Sequence, residues 1–267
     1  MASRVEIILV PDLRSSAVNA AGLLQSRPDL DVLLLDFPET LEDEVIKLAE
    51  YQITYEQLIR TFREKRILPE PLESWTYTAE PILRALPRLR LMRPELEICC
   101  YTPAESPFYA MENATKIARL AFRVKATGKV ETDEWRDAIT SSLTRSRELL
   151  DLDVPRLALR GRGRNAACLA GLNPFRLKQR IADYWDVATV RSAEPFYYRT
   201  PLEVLLCLSS RRELSDKQLS TLALAHVEYV YRYVLGSRDR DEAHSRWIQE
   251  KILGKQPRQV ITRSRYD

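Results

Sequence analysis

The densest concentration of chemistry-bearing side chains in this sequence is Arg160-Gly-Arg-Gly-Arg164, preceded by Arg156 and followed by Arg176, Lys178 and Arg180. Two of only seven glycines fall inside it. Glycine lets successive backbone N–H groups turn toward an anion, and guanidinium forks hold phosphate through paired hydrogen bonds. Arg160, Arg162 and Arg164 are therefore candidates for gripping a phosphate-bearing ligand or a nucleic-acid backbone. A solvated loop whose arginines pair with surface carboxylates suits the same residues about equally well. A second group is Asp36 with Glu39, two carboxylates closing an apolar run and able to act as general acid and base or as ligands of a divalent ion. The chain has only two histidines. His226 falls on an apolar helical stripe and reads as a core or interface residue. His244 follows Asp241 and Glu242 and reads as exposed. The four cysteines, Cys99, Cys100, Cys168 and Cys207, sit in apolar surroundings and read as buried, inert thiols. No phosphate-binding loop ending in Gly-Lys-Ser/Thr, nucleophile elbow or Cys-x-x-Cys pair is present.

The elements that must position these residues follow from pattern. Val5 to Val10 and Asp31 to Asp36 are short, continuous apolar runs of the kind found in strands covered on both faces. A helical segment from Ser15 to Gln25 joins them, the spacing of a right-handed βαβ unit in a parallel sheet. Acidic residues 42–44 open a further helix, and Thr54-x-x-Gln57 and Ser215-x-x-Gln218 are capping boxes. The helical pattern from Thr78 to Leu91 is read as restarting at Pro81 and Pro87 before a third strand at Leu96 to Tyr101. Helices are expected at about 106–125 and 132–150, with Thr127-Gly128-Lys129 as the turn between them. Residues 151–173 stay ambiguous. Val187 to Val190 reads as a fourth strand, Pro201 to Leu208 as a helix or buried segment, and Gln259 to Thr262 as a last strand. The fold class is α/β: a mostly parallel central sheet flanked by helices, forming one domain over residues 1–267 with helical insertions at about 40–92 and 106–150.

The 267 residues are 45% apolar and 30% charged, enough for a substantial core under a heavily solvated surface. No apolar stretch approaches the roughly 20 residues of a membrane span. The opening segment lacks the layout of a signal peptide, so a cytoplasmic protein without a disulfide framework is expected. With 41 basic and 38 acidic residues, the net charge of +3 gives no general pull toward nucleic acid, and any such attraction must be local. High, balanced charge also fits heat adaptation.

Three segments together resemble the superfamily of TraB, ChaN-like and erythromycin-esterase-like proteins. Ile8-Leu-Val-Pro-Asp-Leu-Arg-Ser-Ser16 is placed like its opening strand and Gly-x-x-His loop. Leu33-Leu-Leu-Asp-Phe-Pro-Glu39 is similar to its second strand ending in an acidic residue, and Leu96 to Pro103 to its third. Arg240-Asp-Glu-Ala243 is similar to the Arg-Asp/Glu element opening its late helix. The resemblance covers about half the chain and implies the same α/β fold. Where the family has its first histidine, this chain has Arg14, and after the last strand candidate Thr262-Arg-Ser-Arg265 stands in place of another. Arginine stays protonated and cannot replace a neutral imidazole.

In open parallel sheets, ligands sit beyond the carboxyl ends of the strands. Arg14, Ser16, Asp36, Glu39 and Arg240 are expected there, with Arg14 and Asp36 on a common rim. The resulting expectation is a non-catalytic, degenerate member of the superfamily that binds an anionic small molecule or a protein partner at this edge, with no cofactor. Two alternatives stand beside it: nucleic-acid binding through residues 156–180, and a hydrolase using Asp36 and Glu39 without histidine. Apolar faces around residues 201–253 leave oligomerisation open.

Overall fold

A computed structural model describes residues 3–171 and 174–254. Five strands, β1 (Arg4–Leu9), β2 (Val32–Pro38), β3 (Glu97–Thr102), β4 (Ala166–Ala170) and β5 (Val187–Ser192), form one sheet in the order β3-β2-β4-β1-β5. Every pairing is parallel. The fold is α/β as the sequence predicts, and no helix among the described residues is long and apolar enough to cross a membrane. The strand candidate at 259–262 lies outside the described residues.

The inner strands are largely apolar because alternate side chains enter two different cores. Leu33 and Leu35 pack on the side of α1 (Arg14–Gln25), α2 (Glu42–Ala49), α3 (Tyr55–Lys65) and α4 (Glu73–Met92). Val32 and Leu34 pack with residues of α6 (Thr132–Gly161) and α7 (Pro174–Ile181) on the other side. Each of these four is fully buried, a contribution of about 1.5–3 kcal/mol per side chain. A third cluster joins α5 (Ser106–Thr127), α6, α8 (Pro201–Ser209) and α9 (Asp216–Glu228) around Trp135, Leu205 and Ala223. The π-helical turn Tyr229–Val234 extends α9. Then α10 (Arg240–Trp247), itself continued by the turn Ile248–Leu253, returns to pack Ala243 and Trp247 on Tyr229 and Tyr233.

Local signals account for several helix starts. Both expected capping boxes form, at Thr54 with Gln57 and at Ser215 with Gln218, and a third forms at Thr200 with Glu203. Gly128 ends α5 with φ +71°, a conformation that favours glycine.

Three segments differ from expectation. First, α4 is continuous through Pro81 and Pro87. Pro81 offers no N–H to the carbonyl of Tyr77, and the Arg14 guanidinium donates to that carbonyl instead at 3.3 Å, which removes the cost of the missing helix bond. Second, α6 runs on through Pro155 to Gly161, so the arginine segment begins on a helix. Third, β4 consists of Ala-Ala-Cys-Leu-Ala and carries no β-branched residue. It lies inside the sheet between β2 and β1, with Ala166, Ala167 and Cys168 fully buried. Small side chains allow both helical layers to close over it, which is why its pattern does not announce a strand. Val187 to Val190 therefore belongs to the fifth strand.

Candidate functional site

Strand order fixes where a crevice must open. The chain leaves β2 toward the α1–α4 side, whereas its neighbours β3 and β4 send the chain to the α5–α7 side. Departing loops thus diverge around the carboxyl end of β2, the arrangement that creates ligand sites in open parallel sheets.

A cavity of about 450 Å³ lies there, within the roughly 300–1,000 Å³ range of small-molecule sites. Its floor is Asp36 from β2, Tyr101 and Thr102 from β3, and Ala170 with Gly171 at the end of β4. The walls are Ser106, Tyr109 and Asn113 of α5; Ser142, Arg145, Ser146 and Asp153 of α6; and Arg176 of α7. Arg199, Glu203 and Cys207, on and just before α8, close the remaining side.

The Asp36 side chain borders the cavity and is accessible from it, with protein packed around its base. Burial pushes its carboxyl up to about 6, and the backbone N–H of Gly171, donating to it, partly offsets the rise. Asp153 is pushed further, to about 8, by burial first and then by the negative charge of Asp36, with Arg156 opposing. Its Oδ1 is buried without a hydrogen-bond partner among the described residues. Both carboxyls are thereby displaced upward from the ordinary carboxylate range. Such a pair can accept a proton at one member and donate one from the other, the basis of general acid–base chemistry. Tyr101 cannot donate into the cavity, because its hydroxyl is buried and bonded to the carbonyl of Leu169 at 2.8 Å. Glu203 is committed to its capping box and to the Tyr197 hydroxyl at 2.7 Å.

The cations of the cavity are differently engaged. Arg145 pairs with Glu148 at 2.8 Å and stacks over Tyr109. Arg199 donates to the Cys207 sulfur at 2.7 Å. Neither Arg176 nor Arg199 has a carboxylate partner among the described residues. Cys207 is half-buried beside Arg199 rather than sealed in the core like Cys99, Cys100 and Cys168.

Of the ligand-binding candidates expected at the strand edge, Asp36 alone lines this cavity, joined there by Arg176 and Cys207, which the sequence marks only as a flanking cation and an inert thiol. Glu39 stands outside it, bound to Arg156 at 2.9 Å, and the carboxylate that partners Asp36 is Asp153, which no local motif flags. Arg14 and Asp36 both follow carboxyl ends of parallel strands, but they share no cleft. The Arg14 guanidinium turns toward α4 and pairs with Glu80 at 2.8 Å. Ser16 is fully buried, its hydroxyl unpartnered, and is not on the rim. Arg240 binds Asp12 at 2.6 Å and the Ser74 hydroxyl at 2.8 Å, bracing α10 against the start of α1 and α4.

The arginine segment is also structural. Arg156, Arg160 and Arg164 recur every fourth residue and run along β3, the outer strand of the sheet. Arg160 pairs with Glu42 at 2.6 Å and Glu97 at 3.1 Å, and Arg164 pairs with Glu97. Glu42 in turn accepts the backbone N–H of Cys100 at 2.8 Å, so this ladder occupies an edge that would otherwise invite another strand. Only Arg162 is exposed with no ion pair among the described residues. The two glycines answer to packing and turn geometry: a Cβ on Gly161 would lie 2.5 Å from Trp185, and Gly163 has φ +75°. Arg160 and Arg164 are thus engaged by carboxylates of α2 and β3. His244, expected at the surface, is buried, its Nε2 2.7 Å from the Tyr198 carbonyl and its ring stacked on Tyr197.

Among the described residues, no group of three or more histidine, cysteine, aspartate or glutamate side chains is placed to hold a metal ion. No family model, curated protein or solved structure matches the chain.

Proposed function

We propose that this protein binds a small anionic ligand in the cavity at the carboxyl end of β2, with Arg176 and Arg199 holding the anion and the Asp36–Asp153 pair placed to exchange a proton with the occupant. The observation that carries the reading is the pair of guanidinium groups on the cavity wall with no matching carboxylate among the described residues. Most other arginines of this chain that approach an acidic residue pair with it, as Arg156, Arg160 and Arg240 do. The likeness of the opening segments to the TraB, ChaN-like and erythromycin-esterase-like superfamily supports placing the site at this edge, with Asp36 as the acidic strand end. The missing histidines separate any proton transfer here from imidazole chemistry, and Asp153 takes the place in the pair that sequence reasoning gave to Glu39.

Isothermal titration of the full chain with inorganic phosphate, ethyl phosphate and butyrate at pH 7 tests this. Binding of at least one of these anions, weakened at least about tenfold in Arg176→Ala or Arg199→Ala, is expected from loss of a charge-assisted hydrogen bond worth about 1.5–3 kcal/mol. No detectable binding, or binding indifferent to both substitutions, overturns the reading.

A further inference from the structure

The cavity contains charges of both signs that do not meet. Asp36 has no ion-pair partner among the described residues, and neither have Arg176 and Arg199, although all three line the same space. The groups acting on the carboxyls come from other places: the Gly171 N–H, from the end of β4, on Asp36, and Arg156 of α6 together with Asp36 itself on Asp153. Arg176 comes from α7 and Arg199 from the segment before α8, whereas Asp36 is on β2 and Asp153 on α6, and among the described residues no ion pair joins the two sets. Opposite charges that line one cavity without meeting each lack a partner, and a single occupant bearing both charges would compensate both poles at once.

We propose that the natural occupant is a small zwitterion whose anionic group meets Arg176 and Arg199 and whose amine meets Asp36. The proposal rests on the anion-binding reading above and extends it by assigning the acidic pole. A cavity of about 450 Å³ accommodates a molecule with both groups and a short linker. Asp36 is suited to an ammonium ion because it is acceptor-only when ionised and the chain supplies it with a single backbone N–H. Arrival of a positive charge favours the ionised form of both carboxyls, so binding expels a proton.

The test compares matched probes by isothermal titration of the full chain at pH 7: 4-aminobutyrate against butyrate, and phosphoethanolamine against ethyl phosphate. The amine is expected to raise affinity at least about tenfold, as a charge-assisted hydrogen bond does. Repeating the titration in buffers of different ionisation enthalpy should show net proton release with the amine-bearing probes only. Asp36→Asn retains an acceptor for the Gly171 N–H, and circular dichroism checks its fold. It should abolish the advantage of the amine, so that each amine-bearing probe binds no more tightly than its amine-free match. Equal affinities within each pair, or an amine advantage that survives Asp36→Asn, overturns the zwitterion assignment and leaves anion binding standing. Failure of all four probes overturns both.

Discussion

Asp241, on α10, lies across the start of α1 and accepts the backbone N–H groups of Arg14 and Ser15, each at 2.9 Å. The same carboxyl accepts the hydroxyl of Tyr77 from α4. An anion is what a helix N-terminus attracts, through its unpaired N–H groups and the positive end of its dipole. Here the chain supplies that anion from more than 200 residues away, fastening α1, α4 and α10 together and leaving no vacancy for a ligand at Arg14. Burial works against the charge of Asp241, but the hydrogen bonds from Ser15, Tyr77 and Arg14 outweigh it and hold the carboxyl below its usual range.

Asp241→Ala should accordingly destabilise the protein by about 1–3 kcal/mol, the cost of removing a charged acceptor and leaving its donors unmet. Because the folded value is lowered, the stabilisation is complete above the unfolded value near 4 and disappears as pH falls through the folded value. Urea unfolding at pH 7 and pH 3 checks both parts: the gap between wild type and variant should be wide at pH 7 and narrow at pH 3. An equal gap at both would contradict the charge-based role.

Gly161 and Arg162 separate the structural account of the arginine segment from a ligand-binding one. A Cβ at Gly161 would come within 2.5 Å of the buried Trp185 ring. Gly161→Ala should cost about 1–3 kcal/mol by overpacking, read as a fall in the midpoint of urea unfolding. Arg162→Ala, at an exposed position, should change stability by less than about 0.5 kcal/mol and leave the binding of the anionic probes unaltered. Loss of probe binding in Arg162→Ala would return the segment to the functional site.

Much of the scaffold was legible because it is encoded locally. The apolar runs at β1, β2 and β3, the capping boxes and the turn at Gly128 each carry their signal within a few residues. What escaped was set by distant partners. The alanine-rich β4 is a strand because β1 and β2 flank it, and α4 survives its internal prolines partly because Arg14 serves the freed carbonyl of Tyr77. Asp36 was visible as the polar residue ending an apolar strand. Asp153 was not, since on its own helix it resembles any solvated carboxylate, and only the packing of α6 over the end of β2 brings it to the cavity.

His226 reports on the helical cluster away from the cavity. It is buried edge-on to Trp135, its Nδ1 has no partner, and burial lowers it from 6.5 to about 4. A histidine kept neutral in the folded state contributes fully above its unfolded value near 6.5, and that contribution falls away as pH drops toward 4, because the unfolded chain takes up the proton first. His226→Phe should therefore flatten the decline in melting temperature between pH 6.5 and pH 4 relative to wild type. Parallel curves for the two proteins would show that the ring is not held neutral.

The carboxyl pair predicts the opposite trend at the cavity. Asp153 is raised in the folded state, so between about pH 4 and pH 8 the folded protein holds a proton that the unfolded chain has released, and stability falls as pH rises through this window. Asp36 adds to the same decline up to about pH 6. Asp153→Asn removes the ionisable group while keeping its shape. It should raise the melting temperature by at least about 2 °C at pH 8, taking 2–4 °C per kcal/mol for a chain near this size, and make little difference at pH 4. The nearby groups that shape this titration are Asp36, Arg156, Tyr101 and Cys168, so Arg156→Ala should steepen the loss by removing the one cation that favours ionised Asp153. A gain in stability on deleting a polar side chain is the pattern expected where a residue is kept for what it does to a ligand rather than for the fold. If Asp153→Asn instead destabilises the protein at pH 8, the carboxyl is charged and satisfied there, and the pair cannot share a proton.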